Sequence, residues 1–130
     1  MKVNKPICFI GVDPGAKGAW CFNIPEKKVV IFLDNKIAPW RINNFLKNIQ
    51  HEYIVRIIIL EDVHSMVSMS AKSNFMFGYN VGVVNVLAEL SILPRDHVKP
   101  KEWQKVLGII SKKWPKETRS SVRSKWLKTA

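Results

Sequence analysis

Two short segments place carboxylates where chemistry can use them. Asp13 follows the apolar run Ile7–Val12 and opens an Asp13-Pro14-Gly15 turn, which puts its side chain at the C-terminal end of a predicted strand. Gly15 and Gly18 leave space beside it. Glu61 stands at the matching end of a second apolar run, residues 54–60, with Asp62 directly after it. If the two strands are parallel neighbours, Asp13 and Glu61 meet at one sheet edge. Carboxylates so placed repel each other unless a hard cation bridges them, and an all-oxygen pair suits magnesium, or manganese in its place. Such a cation activates water and stabilises a leaving oxygen, the requirements of phosphodiester hydrolysis. Asp62 is expected on the opposite face of its strand, in a secondary role.

The elements that must position these groups are legible as periodicities. Residues 18–24 and 29–33 read as strands, separated by Pro25-Glu26-Lys27-Lys28, so with the first strand they make an antiparallel three-strand meander. Ile42, Phe45, Leu46 and Ile49 recur at helical spacing and predict a helix over 41–51. The 54–60 run is β-branched and suits a central strand beside the first. Residues 73–93 read as the longest helix, apolar on two sides. Phe75, Tyr79, Val83, Val86 and Leu90 line one side, and Phe77, Val81, Val84 and Ala88 the other. The second side is assigned to a dimer interface, with a helix packed wholly inside its own domain as the alternative, and Gly78 and Gly82 leave a flat stripe for close approach. His97-Val98 adds a short strand, and Pro100 begins a helix ended by Gly108. A last helix starts near Pro115 and carries Lys116, Arg119 and Arg123 on one face. Strand, hairpin, helix, strand is an α/β opening, and residues 1–130 are taken as a single domain.

Composition narrows the class of partner. With 47% apolar residues the chain can build a core, which excludes a disordered tail. Its formal net charge is +11, and residues 95–130 hold 11 of the 21 Lys and Arg but only 3 of the 10 acids. A folded domain with one strongly basic third is suited to a polyanion. No apolar run has the length of a membrane span, and Met1–Pro6 reads as too short and too polar to begin a secretory signal. Cys8 and Cys21 form neither a disulfide framework nor a zinc set, which points to reduced thiols in a cytoplasm, that of a host if the protein is viral.

Gly11-Val12-Asp13-Pro14-Gly15 with Gly18-Ala19 resembles the first motif of RuvC-type Holliday junction resolvases, in the RNase H-like superfamily, and Ile59-Leu60-Glu61-Asp62-Val63 resembles their second acidic motif. The helix with Gly78 and Gly82 is similar to their dimerisation helix. His97-Val98-Lys99-Pro100 through Trp103 is similar to a segment of bacteriophage members. The resemblance runs in order from Ile7 to Ala130. It implies a mixed RNase H-like sheet flanked by helices, and a homodimer that cuts four-way DNA junctions with Mg2+ at Asp13 and Glu61. It also implies a catalytic role for Arg119, near a family lysine, and a junction-contacting role for His64, in the loop Val63-His64-Ser65-Met66. Phosphate contacts are expected from Lys99, Lys101, Lys105, Lys112, Lys113, Lys116, Arg119 and Arg123.

One departure bears on activity. The family completes its site with an Asp-rich motif on a final helix, whereas here Glu117 is the only acid after Glu102. The expectation is therefore a chain truncated at its C-terminus, or one that has lost part of its site, with weak magnesium binding and slow or absent cutting. A module that binds branched DNA without cutting it is the alternative reading. An actin-like ATPase site, the third, needs a second lobe for which 130 residues leave no room.

Overall fold

The pleat decides how the first strand is used. In β1 (Ile7–Val12), Cys8, Ile10 and Val12 are buried while Phe9 is exposed, so one face of the strand turns inward. β2 (Ala19–Ile24) does the same with Trp20, Phe22 and Ile24 and pairs antiparallel with β1, Val12 opposite Trp20. A 3-10 turn at Pro25–Lys27 closes on Lys28, whose φ of 54° is left-handed, and returns the chain to β3 (Val29–Asp34). β3 lies antiparallel to β2, from Ala19 opposite Asp34 to Ile24 opposite Val29. These pairings come from a computed structural model that describes residues 4–64 and 68–102.

Helix α1 (Pro39–Glu52) begins two residues before the sequence expectation, because Pro39 occupies the first turn, where its missing N–H is no loss. It buries Ile42, Leu46 and Ile49, and Phe45 meets the edge of Phe22 at 4.9 Å between ring centroids. β4 (Ile54–Glu61) then pairs with β1 in parallel, with an irregularity between Cys8 and Phe9. The long helix, α2, runs Ala71–Leu90 rather than 73–93. Ser70 caps its start by accepting the Ser73 N–H at 3.1 Å. Its end precedes Ile92, whose left-handed φ of 57° a helix cannot continue through. β5 (Arg95–Val98), two residues longer than expected, completes a sheet of order β3-β2-β1-β4-β5. The inward residues of β1, β2 and β4 form one core with those of α1 and α2. This core belongs to a compact unit that ends at His97, and a second unit begins at Val98. No helix among the described residues is long and apolar enough to cross a membrane.

The side of α2 assigned to a dimer interface needs correction. Val84 is 3% exposed and Ala88 fully buried, both inside the core of their own chain, and Phe77 and Val81 are half-buried. The exposed apolar side is the other one: Phe75, Tyr79, Val86 and Leu90. Val84 and Ala88 are four apart and Leu87 stands between them, so together they make the stripe that the sheet covers.

Burial pushes the Cys8 thiol from 9.0 up to about 11, with the neighbouring Cys21 adding to the effect. Because the folded pKa exceeds the unfolded one, the native state keeps a proton that the unfolded chain loses. Stability should therefore be full below pH 9.0 and fall as the pH rises towards about 11. Cys8 should also resist alkylation at pH 8 until denaturant unfolds the chain, which mass spectrometry of the trapped thiols would show.

Candidate metal centre

Parallel pairing of β1 and β4 brings the positions of the two key acids to the same end of adjacent strands. Val12 is in register with Leu60, so the next residue of each strand, Asp13 and Glu61, leaves the same end of the sheet on adjacent chains. Burial keeps alternating past the end of β1: Val12 and Pro14 are buried, and Asp13 between them is exposed. Glu61 is half-buried, at the end of β4.

The loop that presents Asp13 is closed by hydrogen bonds around a minimal backbone. The Gly15 N–H donates to Asp13 Oδ1 at 3.0 Å, and the Asp13 N–H donates to the Ala19 carbonyl at 3.0 Å. The Gly18 N–H reaches the Gly15 carbonyl at 2.9 Å. Gly18 has no room for a side chain: a Cβ there would lie 2.1 Å from the Asp13 carbonyl oxygen and 2.9 Å from the Asp13 carboxyl carbon. At Gly15 the same atom would come within 3.3 Å of Asp13 Oδ1. These two glycines let the loop fold back against the residue it carries. A residue not singled out from the sequence also holds this loop. Asn35, just past β3, donates from Nδ2 to the Asp13 carbonyl at 2.7 Å and to the Gly15 carbonyl at 2.8 Å. The signal that could have found it is the β2–β3 register, which ends at Ala19 opposite Asp34 and so brings Asn35 to the loop.

The pair fits a magnesium ion, which binds through one or two carboxylates and fills its remaining positions with water and substrate phosphate. Asp13 Oδ1 accepts from the Gly15 N–H, and Asp13 Oδ2 with the Glu61 carboxylate would be the oxygens to hold such a cation. Among the described residues no group of three or more His, Cys, Asp and Glu side chains gathers to hold a metal. Asp62 is drawn elsewhere: its Oδ2 lies 3.8 Å from Nε2 of His64, and the His64 side chain is 78% exposed. Lys99 and Lys101 are exposed. Arg119, Lys105, Lys112, Lys113, Lys116 and Arg123 lie outside the described residues.

The fold has solved counterparts. RuvC of Thermus thermophilus in complex with a Holliday junction substrate matches with a TM-score of 0.54 at 14% identity, over 89% of this chain and 88% of that one. A second Thermus thermophilus RuvC structure matches with a TM-score of 0.50 at 16% identity, over 85% of this chain and 74% of that one. The chain thus has the RuvC-like, RNase H-like α/β fold, a mixed five-stranded sheet with flanking helices, as expected. No protein-family model and no curated protein sequence matches it.

Gly18→Ala should cost about 2 kcal/mol or more, because the atom in the way is backbone and cannot rotate aside. Gly11→Ala is the control, since its Cβ would meet nothing within 4 Å. Denaturant midpoints of the two variants should separate accordingly, with amide shifts in Gly18→Ala concentrated at residues 13–19.

Proposed function

We propose that this protein is a structure-selective endonuclease that resolves four-way DNA junctions, with a divalent cation held between Asp13 and Glu61. The observation that supports the reading is the β1–β4 register, Val12 opposite Leu60, after which residues 13 and 61 follow on adjacent strands of a RuvC-like sheet. Magnesium or manganese bound there would supply an activated water and charge stabilisation for phosphodiester hydrolysis. The chain's own part is to hold the Asp13 carboxylate in one orientation through the Gly15 N–H, and to keep Glu61 within the same sheet end. The net charge of +11 supports a polyanionic substrate. Lys99, Lys101, Lys105, Lys112, Lys113, Lys116, Arg119 and Arg123 are proposed as phosphate contacts, His64 as a junction contact and Arg119 also as a catalytic cation.

A second reading, a module that binds junctions without cutting them, is favoured by one observation: after Glu102 the sequence holds a single acid, Glu117, where the resembled family has an Asp-rich motif. A nicking assay on a synthetic four-way junction with magnesium or manganese separates the two. Asp13→Asn and Glu61→Gln should each reduce cutting to the rate of the metal-free control. Junction affinity should change less than about threefold, roughly 0.6 kcal/mol, because shape is kept and only ligand charge is lost. Wild-type protein that binds but never nicks would favour the second reading.

A homodimer is part of the proposal, but through the outer side of α2. An apolar groove of about 610 Å³ runs between the start of α1 and α2, lined by Trp40, Gly78, Tyr79, Gly82, Val86 and Leu90 among others. A Cβ at Gly78 or Gly82 would meet nothing within 4 Å, so both glycines leave the helix backbone open to a second chain. Two copies of such a face satisfy a twofold interface, and a twofold pair of sites suits symmetric cutting of a junction. Val86→Arg should give a folded monomer by sedimentation. Val84→Arg, which buries an unpaired charge, should lose the fold instead.

A further inference from the structure

We propose that Asn35 is a positioning residue for Asp13, a role that rests on the reading of Asp13 as a cation ligand. One amide NH2 group, Nδ2, bridges the Asp13 and Gly15 carbonyls at 2.7 and 2.8 Å, on either side of Pro14. The Asn35 backbone N–H adds a bond to the Gly18 carbonyl at 3.2 Å. A single residue twenty positions away thus grips the presenting loop at three carbonyls, while Pro14 offers the loop no N–H of its own.

Among the described residues the side chain makes no other hydrogen bond. Its Oδ1 is buried and accepts from no protein group, so both of its bonds to the protein run to the Asp13 loop. Reversing the amide would set Oδ1 against two carbonyl oxygens, so the orientation follows from the bonding. Asn35 is itself aimed by the turn after β3. Asp34 Oδ1 accepts the Lys36 N–H at 2.7 Å and the Ile37 N–H reaches the Asp34 carbonyl at 3.0 Å, which turns residue 35 towards the loop.

The consequence reaches the carboxylate through Gly15. Nδ2 holds the carbonyl of the Gly15–Ala16 peptide, and the N–H of the Pro14–Gly15 peptide, on the other side of the Gly15 Cα, donates to Asp13 Oδ1. Without the amine the loop keeps its strand connections but Gly15 can swing, and Asp13 loses its single orientation. Asn35 touches no reacting atom in this scheme. It acts through the loop, as residues behind a metal ligand do.

The test uses Asn35→Asp, which keeps the shape but opposes a carboxylate to two carbonyls, and Asn35→Ala, which removes the amine without adding charge. Mn2+ affinity is measured by titration against wild type, with Asp13→Asn as baseline, and kcat and KM on a four-way junction. Amide hydrogen exchange is compared at Gly15 and at Val84 in the core. Both variants should bind Mn2+ about tenfold more weakly and lose kcat by a similar factor with KM unchanged. Gly15 exchange should rise about tenfold while Val84 stays as in wild type. Wild-type Mn2+ affinity and Gly15 exchange in Asn35→Ala would overturn the proposal, as would equal acceleration at Gly15 and Val84, the mark of a merely structural residue. If wild type and Asp13→Asn bind Mn2+ alike and neither cuts, the cation reading fails by itself. The exchange contrast then still decides whether Asn35 holds the Asp13 loop.

Discussion

Everything at the candidate site depends on the parallel pairing of β1 with β4. Five residues of these two strands, Cys8, Ile10, Val12, Ile58 and Leu60, are buried, so the pairing is locked by the same side chains that make the core. A slip of one residue would turn those side chains outward, at roughly 1.5–3 kcal/mol for each large apolar group. It would also carry Glu61 to the other face and away from Asp13. Core and site are therefore set by one register. The site needs no dedicated stabilising interactions to bring its two carboxylates to one sheet end.

What the register does not supply is the orientation of Asp13, because the residue lies beyond the last strand pair. That is the work of a loop whose conformation excludes side chains at Gly18 and uses the Gly15 N–H on the carboxylate itself. The loop is short of backbone donors at Pro14 and receives its missing bonds from the turn after β3, at the end of the neighbouring hairpin. Two segments distant in sequence thus meet at the loop that presents one exposed carboxylate. The meander is more than a route from β1 to α1: its far turn returns to brace its beginning.

Helix α2 shows a division of labour between its two apolar sides. One, with Val84, Leu87 and Ala88, closes the core under the sheet. The other, with Tyr79, Val86 and Leu90 exposed and two glycines flush with the backbone, forms one wall of a groove whose other wall is the start of α1.

By itself the sequence determined the strands of the meander, the α1 helix, the β4 strand and the placing of Asp13 and Glu61 at strand ends. Each of these rests on local information: alternation at period two, helical spacing of Ile42, Leu46 and Ile49, and Pro-Gly turn chemistry. Boundaries shifted where caps outweighed periodicity, at Pro39, Ser70 and Ile92. Which side of α2 faces the core was undetermined, because both sides are apolar and periodicity cannot rank two equal stripes. Tertiary structure decided it by setting Val84 and Ala88 against the sheet. Asn35 was equally silent, an ordinary turn residue by local pattern. Its partners lie 20 and 22 positions away, and only the folded hairpin brings its amide to the Asp13 loop.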